Sequence, residues 1–550
     1  MKRRDFIKNV SMAGSGAIML GGMPVKLLAG NEALKKAAAN ATNDHVLVFV
    51  QLHGGNDGLN TLIPIEQFDR YKEIRPNIYI PKSGEARTYI PLDTSLPSTQ
   101  QAGLHPDMQG FKTLYDEGRA AVVHNVGYEN MNLSHFRGRD IVFMGGDYND
   151  TFHSGWMGRF LNSEYPGYPD SYPNSEMPDP PGIELSSSLS LSFHRDIGIP
   201  IGFNINDPIG YYNLVNNVGL DQAPTVFPDS HAGDELEYLC DFEDKAIDYS
   251  KRLNDVYNAG SNSTTVYPEI YSQNAPDRFL NNPLSGQLRM IARLLDGGIK
   301  TRIFLCRIGL FDTHADQVMD GENRTMGGHA ALLYHLSSAI EAFHNDLANM
   351  GIEERVLTMT FTEFGRRAYS NDSYGTDHGK STPVFLFGSG LKGGIYGDNP
   401  DISAEGLVGG NTKYAIDYRQ VYTSVVMDWF GASQQAMEDT YFDAWTSNRL
   451  DLIEGVSSIN NKNIFTKIEL RCAPNPVSGV AQFQIPLVRA SNIRLILYDA
   501  NGKIITTIFN GKKQYGLASF EFDTSILTSG NYMAIAYVNG YAYHCKFTKI

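Results

Sequence analysis

The chain has 550 residues, of which 42% are hydrophobic and 11% aromatic, with 53 glycines and 25 prolines. This composition excludes collagen-like, coiled-coil and wholly disordered chains, and it supplies ample apolar material for a core. At roughly 150 residues per domain, the length corresponds to about three to four domains. The net charge of −15 excludes a nucleic-acid-binding protein held by bulk positive charge.

The charge is unevenly distributed along the chain. Residues 473–550 carry seven Lys and Arg against three Asp and Glu, so the tail is basic while the rest of the chain is acidic. This difference suggests two units with different tasks.

The first thirty residues have the organisation of an export signal. The positive stretch Lys2-Arg3-Arg4 precedes a mildly apolar, glycine-interrupted segment that is too weak for a membrane span of ~20 apolar residues. The paired arginines followed by Phe6-Ile7-Lys8 resemble the twin-arginine translocation signal, and an ordinary secretory signal is the alternative. We predict a signal peptide at residues 1–30. No later stretch reaches ~18 apolar residues, so we expect no transmembrane segment in the mature chain.

Short runs of alternating apolar and polar residues fill the end of the chain. They lie at 481–485, 493–498, 503–508, 519–522, 531–538 and 541–548. Asn-Gly turns occur at Asn501-Gly502 and Asn539-Gly540. Period-two alternation with such turns predicts a small antiparallel β-sandwich over residues 470–550.

This C-terminal unit is similar to the C-terminal sorting domain of the type IX secretion system of Bacteroidetes. The resemblance is carried by Pro474-Asn475-Pro476, Leu497-Tyr498-Asp499-Ala500-Asn501-Gly502-Lys503, Leu527-Thr528-Ser529-Gly530-Asn531-Tyr532 and Lys546-Phe547-Thr548-Lys549-Ile550. It implies passage through the outer membrane and then surface attachment or release, with the export and type IX secretion machineries as partners. A carbohydrate-binding sandwich is the competing interpretation, but no platform of exposed aromatic residues can be read from the sequence.

The chain has four cysteines, which is few for a secreted protein of this size. Cys472 and Cys545 flank the C-terminal unit and could close it with one disulfide, whereas Cys240 and Cys306 are a second pair or two buried thiols. There is no Cys-x-x-Cys sequence, so neither a structural zinc site nor a thioredoxin-like function is indicated.

Continuous apolar runs alternate with a helical pattern between residues 44 and 455. The runs lie at 45–52, 120–126, 300–305, 356–361 and 382–387. Such runs are typical of strands buried on both faces, and residues 327–350 have apolar side chains at helical spacing. The alternation predicts an α/β domain in which a mostly parallel sheet is sandwiched by helices. Ligands of such sheets bind beyond the carboxyl ends of the strands.

Acidic and histidine residues gather near these predicted strand ends. Asp57 follows the first strand, Asp312 and His314 follow the run that begins at 300, Glu363 follows 356–361, and Asp377-His378 precedes 382–387. Each residue alone is a weak signal, since an Asp after a strand is usually a helix cap. Several such clusters together favour a divalent metal site. Mixed Asp, Glu and His ligands suit zinc, or calcium or magnesium if carboxylates dominate.

The same residues belong to a series of motifs that resembles domain-of-unknown-function family 1501, in the alkaline phosphatase/sulfatase superfamily. In chain order the motifs are His53-Gly54-Gly55-Asn56-Asp57-Gly58-Leu59-Asn60, Leu104-His105-Pro106, Asn132-Leu133-Ser134-His135-Phe136, Ser154-Gly155-Trp156-Met157-Gly158-Arg159, Phe311-Asp312-Thr313-His314, Thr362-Glu363-Phe364-Gly365-Arg366-Arg367 and Gly375-Thr376-Asp377-His378-Gly379. The resemblance spans about residues 44–430. It implies an alkaline phosphatase-like fold with two metal ions at strand ends, beside a residue that attacks phosphorus or sulfur.

The resemblance also implies roles for individual residues. The metal ligands it implies are Asp57, Asp312, His314, Glu363, Asp377 and His378. It implies Ser134 as the nucleophile, just before a helical stretch at 136–143, although a helix N-cap is an equally good interpretation. His135 is expected to orient this loop rather than act as a general base, and Arg366 to pair with an anionic substrate oxygen.

The chain also departs from the superfamily pattern. The Asp312-Thr313-His314 spacing is tighter than in phosphatases, and Glu363-Phe364 lacks the usual histidine, so one metal ion or none is an alternative to two. The sequence that sulfatases convert to formylglycine is absent, which excludes a formylglycine sulfatase. Residues 163–235, rich in Pro, Tyr and Ser, are expected to be an insertion, either a surface excursion or a lid over the site.

Taken together, these features predict an exported, metal-dependent hydrolase of phosphate or sulfate esters, acting on small molecules or extracellular glycans or lipids. The protein is expected to be secreted or held at the cell surface. The competing prediction is a non-catalytic surface protein of the same fold that binds a polymer or a partner.

Overall fold

A computed structural model describes the chain over most of its length. The described residues are 18–20, 23–25, 44–195, 198–217, 228, 230–319, 324–454, 470–487, 491–499, 502–513, 516–538 and 541–550. They form two compact units, Met1–Val456 and Ser457–Ile550. The signal peptide predicted at 1–30 falls largely outside the described residues and stays a prediction. Within the described ranges, no helix is both long and apolar enough to cross a membrane.

The first unit is built around one large sheet. Its strands are β1 Ile18–Leu20, β2 Met23–Val25, β3 Val46–Leu52, β4 Leu62–Pro64, β5 Ile90–Pro91, β6 Ala102–Leu104, β7 Ala120–Gly127, β8 Gly182–Glu184, β9 Gly202–Asn204, β10 Ile303–Ile308, β11 Val356–Phe361, β12 Gly365–Arg366, β13 His378–Gly379, β14 Thr382–Phe387, β15 Gly394–Tyr396 and β16 Ile416–Asp417. The large sheet has the order β15-β7-β14-β11-β3-β10-β8-β9, with β16 also beside β7. Only β14 runs antiparallel to its neighbours, β11 and β7, among these pairings. The predicted mostly parallel sheet is confirmed.

Helices pack on both faces of this sheet. They are α1 Gly58–Thr61, α2 Phe68–Ile74, α3 Gln109–Asp116, α4 His135–Met144, α5 Trp156–Glu164, α6 Pro208–Asn217, α7 His231–Ala259, α8 Pro283–Asp296, α9 Gly328–Asn349, α10 Tyr418–Ser424 and α11 Gln434–Asp439. A single turn of π-helix, Val425–Trp429, continues α10. The helix predicted at 327–350 is therefore present as α9.

Strand β3 shows how the sequence divides the core. Val46, Val48 and Val50 point into a cluster with α8 and α9 on one face, whereas Leu47 and Phe49 point into a second cluster with α4, α5 and α10 on the other. Successive side chains of a strand face opposite sides, so a continuous apolar run is required when both sides are covered. The sandwich of helices predicted from these runs is confirmed.

Capping side chains fix where several helices begin. Asn282 accepts hydrogen bonds from the backbone N–H groups of Leu284 and Ser285 at the start of α8, which also has a proline in its first turn. Asp417 and Gln420 form a reciprocal capping box at the start of α10. These bonds satisfy backbone donors that have no partner inside the helix.

The segment predicted as an insertion, 163–235, is partly built into the sheet. It contributes β8 and β9, which extend the sheet in parallel beyond β10. Ile183 and Leu185 are buried in the same cluster as α9. These two strands of the segment therefore belong to the sheet and not to a surface loop or a lid. Strands of three residues are too short to give a recognisable hydrophobic period, which is why the sequence pattern missed them.

The second unit consists of two antiparallel sheets. Its strands are β17 Arg471–Ala473, β18 Val480–Leu487, β19 Ser491–Tyr498, β20 Ile504–Lys513, β21 Gly516–Asp523, β22 Gly530–Val538 and β23 Tyr541–Lys549. One sheet has the order β17-β18-β21 and the other β20-β19-β22-β23, and every pairing is antiparallel. Phe483 and Phe520 of the first sheet share a core with Leu495 and Ala534 of the second. The antiparallel C-terminal fold predicted from period-two alternation is confirmed.

The described cysteines are free thiols. Cys472 and Cys545 pack against the core of the second unit, and burial raises the pKa of the Cys472 thiol to about 11. Cys306 is fully buried in the first unit. The disulfide that Cys472 and Cys545 could form is not present in this structure, and the side chain of Cys240 lies outside the described residues.

Candidate functional site

Four segments meet at one edge of the large sheet. The helix α4 begins with His135, the loop after β10 carries Asp312 and His314, and Glu363 directly follows β11. The hairpin β12–β13 pairs Arg366 with His378. Strand β14 runs antiparallel to β11, so its amino end lies at the carboxyl end of its neighbour. This reversal explains why residues before a strand join residues that follow strands.

Three imidazoles surround the carboxylate of Asp312. Nε2 of His378 lies 3.1 Å from Oδ1 of Asp312, and Nε2 of His314 lies 3.2 Å from the same oxygen. Nε2 of His135 lies 3.3 Å from Oδ2, without the alignment of a hydrogen bond. Potential ligand atoms of His135, Asp312 and His378 all lie within 4.8 Å of one another. We call His135, Asp312, His314 and His378 the histidine cluster.

The opposite nitrogen of each ring is held by an acceptor. Nδ1 of His135 lies 2.8 Å from Oε1 of Glu363, a carboxylate whose side chain has no exposed surface. Nδ1 of His314 lies 3.3 Å from Oδ1 of Asp377, and Nδ1 of His378 lies 2.9 Å from the carbonyl oxygen of Leu133. Acceptors of this kind fix the ring and its tautomer in metal-binding histidines, leaving Nε2 to face the metal. Glu363 and Asp377 therefore lie behind the rings rather than among the facing atoms.

Glu363 is itself held in place. Its Oε1 also accepts a hydrogen bond of 2.9 Å from the backbone N–H of Gly54, in the turn after β3. Gly54 has a φ of +124°, and a side chain there would collide with the backbone of Phe311 and Asp312. Only glycine allows this close approach of the two loops that form the site.

Arg366 does not have the position expected of a substrate-binding residue. Its side chain is fully buried, and all three guanidinium nitrogens donate to oxygens of the protein. The acceptors are the carbonyl oxygens of Gly54, Gly55, Phe311 and Thr376, and Oδ1 of Asp312. Because each of its nitrogens bonds to the protein, this buried side chain links the loops of the site and holds Asp312 in place.

The charges in the site favour an ionised Asp312. Burial would raise its pKa, but hydrogen bonding and attraction from Arg366, with His378, lower it to about 2. Burial lowers the pKa of His378, although the bond to Asp312 opposes this. The bond to Glu363 raises the pKa of His135, against the effect of its burial. Asp312 is thus an anion at neutral pH and the environment of His378 favours the neutral ring.

This arrangement fits a metal cation. The carbonyl oxygen of Leu133 can only accept, so Nδ1 of His378 carries the proton and Nε2 of the neutral ring offers a lone pair. That lone pair faces the ionised carboxylate of Asp312 at 3.1 Å. Either a second proton on the ring or a metal cation between the two atoms satisfies both of them, and the lowered pKa of His378 favours the cation. The mutually close ligand atoms of His135, His378 and Asp312 are two imidazoles and one carboxylate, a donor set that suits zinc and related divalent ions.

Asp57, predicted as a ligand, lies in a separate buried network. Its Oδ2 is 2.6 Å from Nη1 of Arg75 and 2.5 Å from Nε2 of Gln317, and both ionic side chains are fully buried. Burial opposes ionisation, but Arg75 lowers the pKa of Asp57 below its usual value. Asp57 therefore contacts Arg75 and Gln317, and these residues are not part of the histidine cluster.

Ser134, predicted as the nucleophile or as a helix cap, occupies the N-cap position of α4. Its side chain makes no capping hydrogen bond and is exposed. Its backbone N–H instead binds Oδ1 of Asn132 at 2.9 Å. Ser134 directly precedes His135 in the chain, at the start of α4.

Sequence reasoning missed one residue beside the site. The ring of His53 stacks parallel to that of His135, with centroids 6.1 Å apart. Burial lowers the pKa of His53, while Glu363 opposes this effect. Its position at the end of β3 was the available signal, because the His53-Gly54-Gly55 motif turns at the same edge as the predicted ligands.

The fold and the site define an α/β protein with a candidate metal site of histidine and aspartate at the edge of a mostly parallel sheet. A family model described as "Protein of unknown function (DUF1501)" matches residues 229–434. This range includes Asp312, His314, Glu363 and His378, and it leaves out His135. The match confirms the family resemblance of this part of the chain. No curated protein matches the chain.

Solved structures show weak similarity. The PsFucS1 sulfatase from Pseudoalteromonas sp. is 11% identical, with 93% of this chain and 92% of that chain covered and a TM-score of 0.33. The alkaline phosphatase from the Antarctic bacterium TAB5 is 11% identical, with 72% and 98% covered and a TM-score of 0.25. Dimeric latent PorU from Porphyromonas gingivalis is 21% identical over 15% of this chain and only 9% of that chain, with a TM-score of 0.14.

Proposed function

We propose that the first unit is a metal-dependent hydrolase of phosphate or sulfate esters with an alkaline phosphatase-like fold. The observation that carries the proposal is the set of three Nε2 atoms within 3.3 Å of the Asp312 carboxylate, each on a ring whose Nδ1 faces an acceptor. The cluster is partly open to solvent, with Asp312 and His314 each nearly half exposed, so an ion could reach it. His135, His378 and Asp312 would hold the ion, which we expect to be zinc, and His314 would join them through its position beside Asp312.

The ion would act as a Lewis acid that stabilises charge on the oxygens of the ester group. The chain would supply the rest of the chemistry. Ser134 is the proposed nucleophile: its Oγ forms a bond to phosphorus or sulfur as the bond to the leaving oxygen breaks, and the hydroxyl proton ends on the leaving alcohol. Water then cleaves the bond between Oγ and phosphorus or sulfur, which releases the acid and restores the serine. Glu363 and Asp377 keep the rings of His135 and His314 oriented throughout.

Hydrolysis of p-nitrophenyl phosphate and p-nitrophenyl sulfate by the purified mature chain tests this proposal. Asp312→Asn is expected to abolish hydrolysis and metal binding together. Asp316→Asn is the matched control, because Asp316 lies on the same loop but is exposed and paired with Arg278 at 2.8 Å. Equal hydrolysis by both variants would refute the proposed site.

A non-catalytic surface protein is the second candidate function. It is favoured by Arg366, whose guanidinium is committed to protein oxygens and is not free to bind an anionic substrate. In that case the ion would only join the loops of the site. The expected result is then a metal-bound chain that is destabilised by chelation and hydrolyses neither ester.

We further propose that the chain is exported and delivered to the cell surface. The twin-arginine-like sequence at Arg3-Arg4 and the sorting-domain motifs from Pro474 onward support this proposal. A chain shortened to residues 1–455 is expected to remain in the periplasm of a bacterium that has type IX secretion, whereas the full chain reaches the surface. Surface delivery of the shortened chain would contradict the role of the C-terminal unit.

A further inference from the structure

Two arginines outside the histidine cluster lie on the helix and the strand that lead to it. Arg307 is near the end of β10, is exposed, and points to the same face of the sheet as α4, because its neighbours Cys306 and Ile308 pack into the opposite core. Arg139 lies on α4 one turn after His135, with 31% of its side chain exposed. Residues four apart on a helix share a face, so Arg139 follows His135 along the site.

The two guanidinium groups act on one another and on the site. The pKa of Arg307 is lowered by partial burial and then by the charge of Arg139, while Glu363 and Glu184 oppose the shift. Both arginines also act on His53, the ring that stacks on His135. The pair is thus within electrostatic reach of His53 and Glu363, which both adjoin His135.

No strong ion pair neutralises these charges within the part of the chain that the structure describes. The one ion pair of Arg139 among the described residues is a 3.4 Å contact with its neighbour Asp140, and no described carboxylate lies within 4 Å of Arg307. The two nearby acids are otherwise engaged: Glu363 binds Gly54 and His135, and Glu184 accepts the backbone N–H of Ser190 at 2.7 Å. Two like charges that act on one another without a counter-ion repel.

We propose that Arg139 and Arg307 bind a tetrahedral oxyanion of the substrate next to the histidine cluster. A guanidinium group matches phosphate and sulfate oxygens with paired N–H donors, and an anion between the two groups removes their repulsion. The inference rests on the proposed hydrolase function and supplies the anion-binding residues that Arg366 does not. The oxyanion is either the ester group that is cleaved or a second acidic group on the same substrate.

Binding of inorganic phosphate to the metal-loaded chain, measured by calorimetry, tests the pair. Arg307→Gln and Arg139→Gln are each expected to raise the Kd at least about tenfold, the usual effect of losing a charge-assisted contact. Arg307→Lys is expected to recover part of the loss. Arg289→Gln is the control, because Arg289 is a surface arginine with 54% exposure and a 3.5 Å contact to Glu269. Circular dichroism checks that each variant is folded.

Kinetics with two esters distinguish the two sources of the oxyanion. If the cleaved group is bound, Arg307→Gln raises the KM for p-nitrophenyl phosphate. If a second group is bound, the KM rises only for a disaccharide that carries two sulfate groups. Phosphate affinities of both glutamine variants within twofold of wild type, or no phosphate binding by the wild-type chain, would overturn the inference.

Metal content separates this inference from the proposed function. A wild-type chain without metal would refute the hydrolase proposal, while phosphate binding by the metal-free chain would still report on the arginine pair. A chain that binds metal and hydrolyses esters equally well with and without the two arginines would refute only the pair.

Discussion

The imidazole of His135 and the carboxylate of Glu363 are joined by a 2.8 Å contact between Nδ1 and Oε1, although they are 228 residues apart in the chain. Glu363 is fully buried, and the backbone of Gly54 holds the same oxygen. The contact turns the other nitrogen of His135 towards Asp312. The start of α4 and the end of β11 are thereby held together next to Nε2 of His135, the atom that would face a metal ion.

Replacing Glu363 by Gln tests this support. The amide keeps the size of the side chain but loses the negative charge behind His135, so we expect metal affinity to fall about 10- to 100-fold. Competition with a chromophoric chelator measures the affinity. Glu353→Gln is the matched control, since Glu353 contacts His344 at 3.2 Å in a pair outside the cluster. Unchanged affinity in Glu363→Gln would contradict the proposed role.

Replacing Asp57, the buried partner of Arg75, is expected to lower the stability of the fold and to leave metal binding unchanged. Asp57→Asn leaves the guanidinium of Arg75 buried without its counter-ion, so we expect the free energy of unfolding to fall by about 3 kcal/mol. Denaturant unfolding measures the loss, and metal content is expected to stay at the wild-type level. The opposite result, lost metal with unchanged stability, would restore Asp57 as a ligand.

The buried ring of His124 is expected to lower the free energy of unfolding as the pH falls. Burial lowers the pKa of His124 to about 4, although the charge of Asp398 opposes the shift. Between about pH 6.5 and 4 the unfolded chain binds a proton at His124 and the folded chain does not. The folded state is therefore destabilised relative to the unfolded chain as the pH falls through this window, and above about pH 6.5 this loss is absent. At pH 5 the loss is about 2 kcal/mol.

The variant His124→Leu cannot take up this proton, and Nε2 of His124 has no hydrogen-bond partner in the described structure. We expect its free energy of unfolding to depend less steeply on pH between 7 and 5 than that of the wild-type chain. Urea unfolding at several pH values measures the slope, and equal slopes would disprove the assignment.

The variant Ser134→Ala distinguishes a role of Ser134 as nucleophile from a role as helix cap. Because the hydroxyl makes no capping bond, we expect less than about 0.5 kcal/mol loss of stability but a loss of ester hydrolysis. Ser433→Ala is the matched control, since that side chain accepts the backbone N–H of Ala436 at 3.1 Å. This control should lose about 1 kcal/mol of stability and keep its activity. Hydrolysis that survives in Ser134→Ala would remove Ser134 as the nucleophile.

The sequence was most informative where a strand is buried on both faces. The runs that became β3, β7, β10, β11 and β14 were recognisable because such strands need continuous apolar residues. The short strands β8 and β9 were not, since three residues contain too little pattern to distinguish a strand from a loop. Their proline-rich surroundings suggested a loop instead.

The sequence also named most residues of the site but not their arrangement. Spacing could not distinguish the atoms that face the proposed ion from the carboxylates behind them, because Glu363 and His378 become neighbours only through the reversed strand β14. Nor could it show that Arg366 would be buried, since its partners are carbonyl oxygens from three loops. His135 was expected only to orient its loop, yet its Nε2 faces Asp312.

Metal content of the purified chain tests the central claim most directly. Elemental analysis of the wild-type chain is predicted to find about one divalent ion per chain, and His378→Ala and Asp312→Ala are predicted to lose it. Chelation should lower the unfolding temperature of the wild-type chain to that of these variants. Substantially less than one ion per chain, with an unfolding temperature that chelation does not change, would contradict the account.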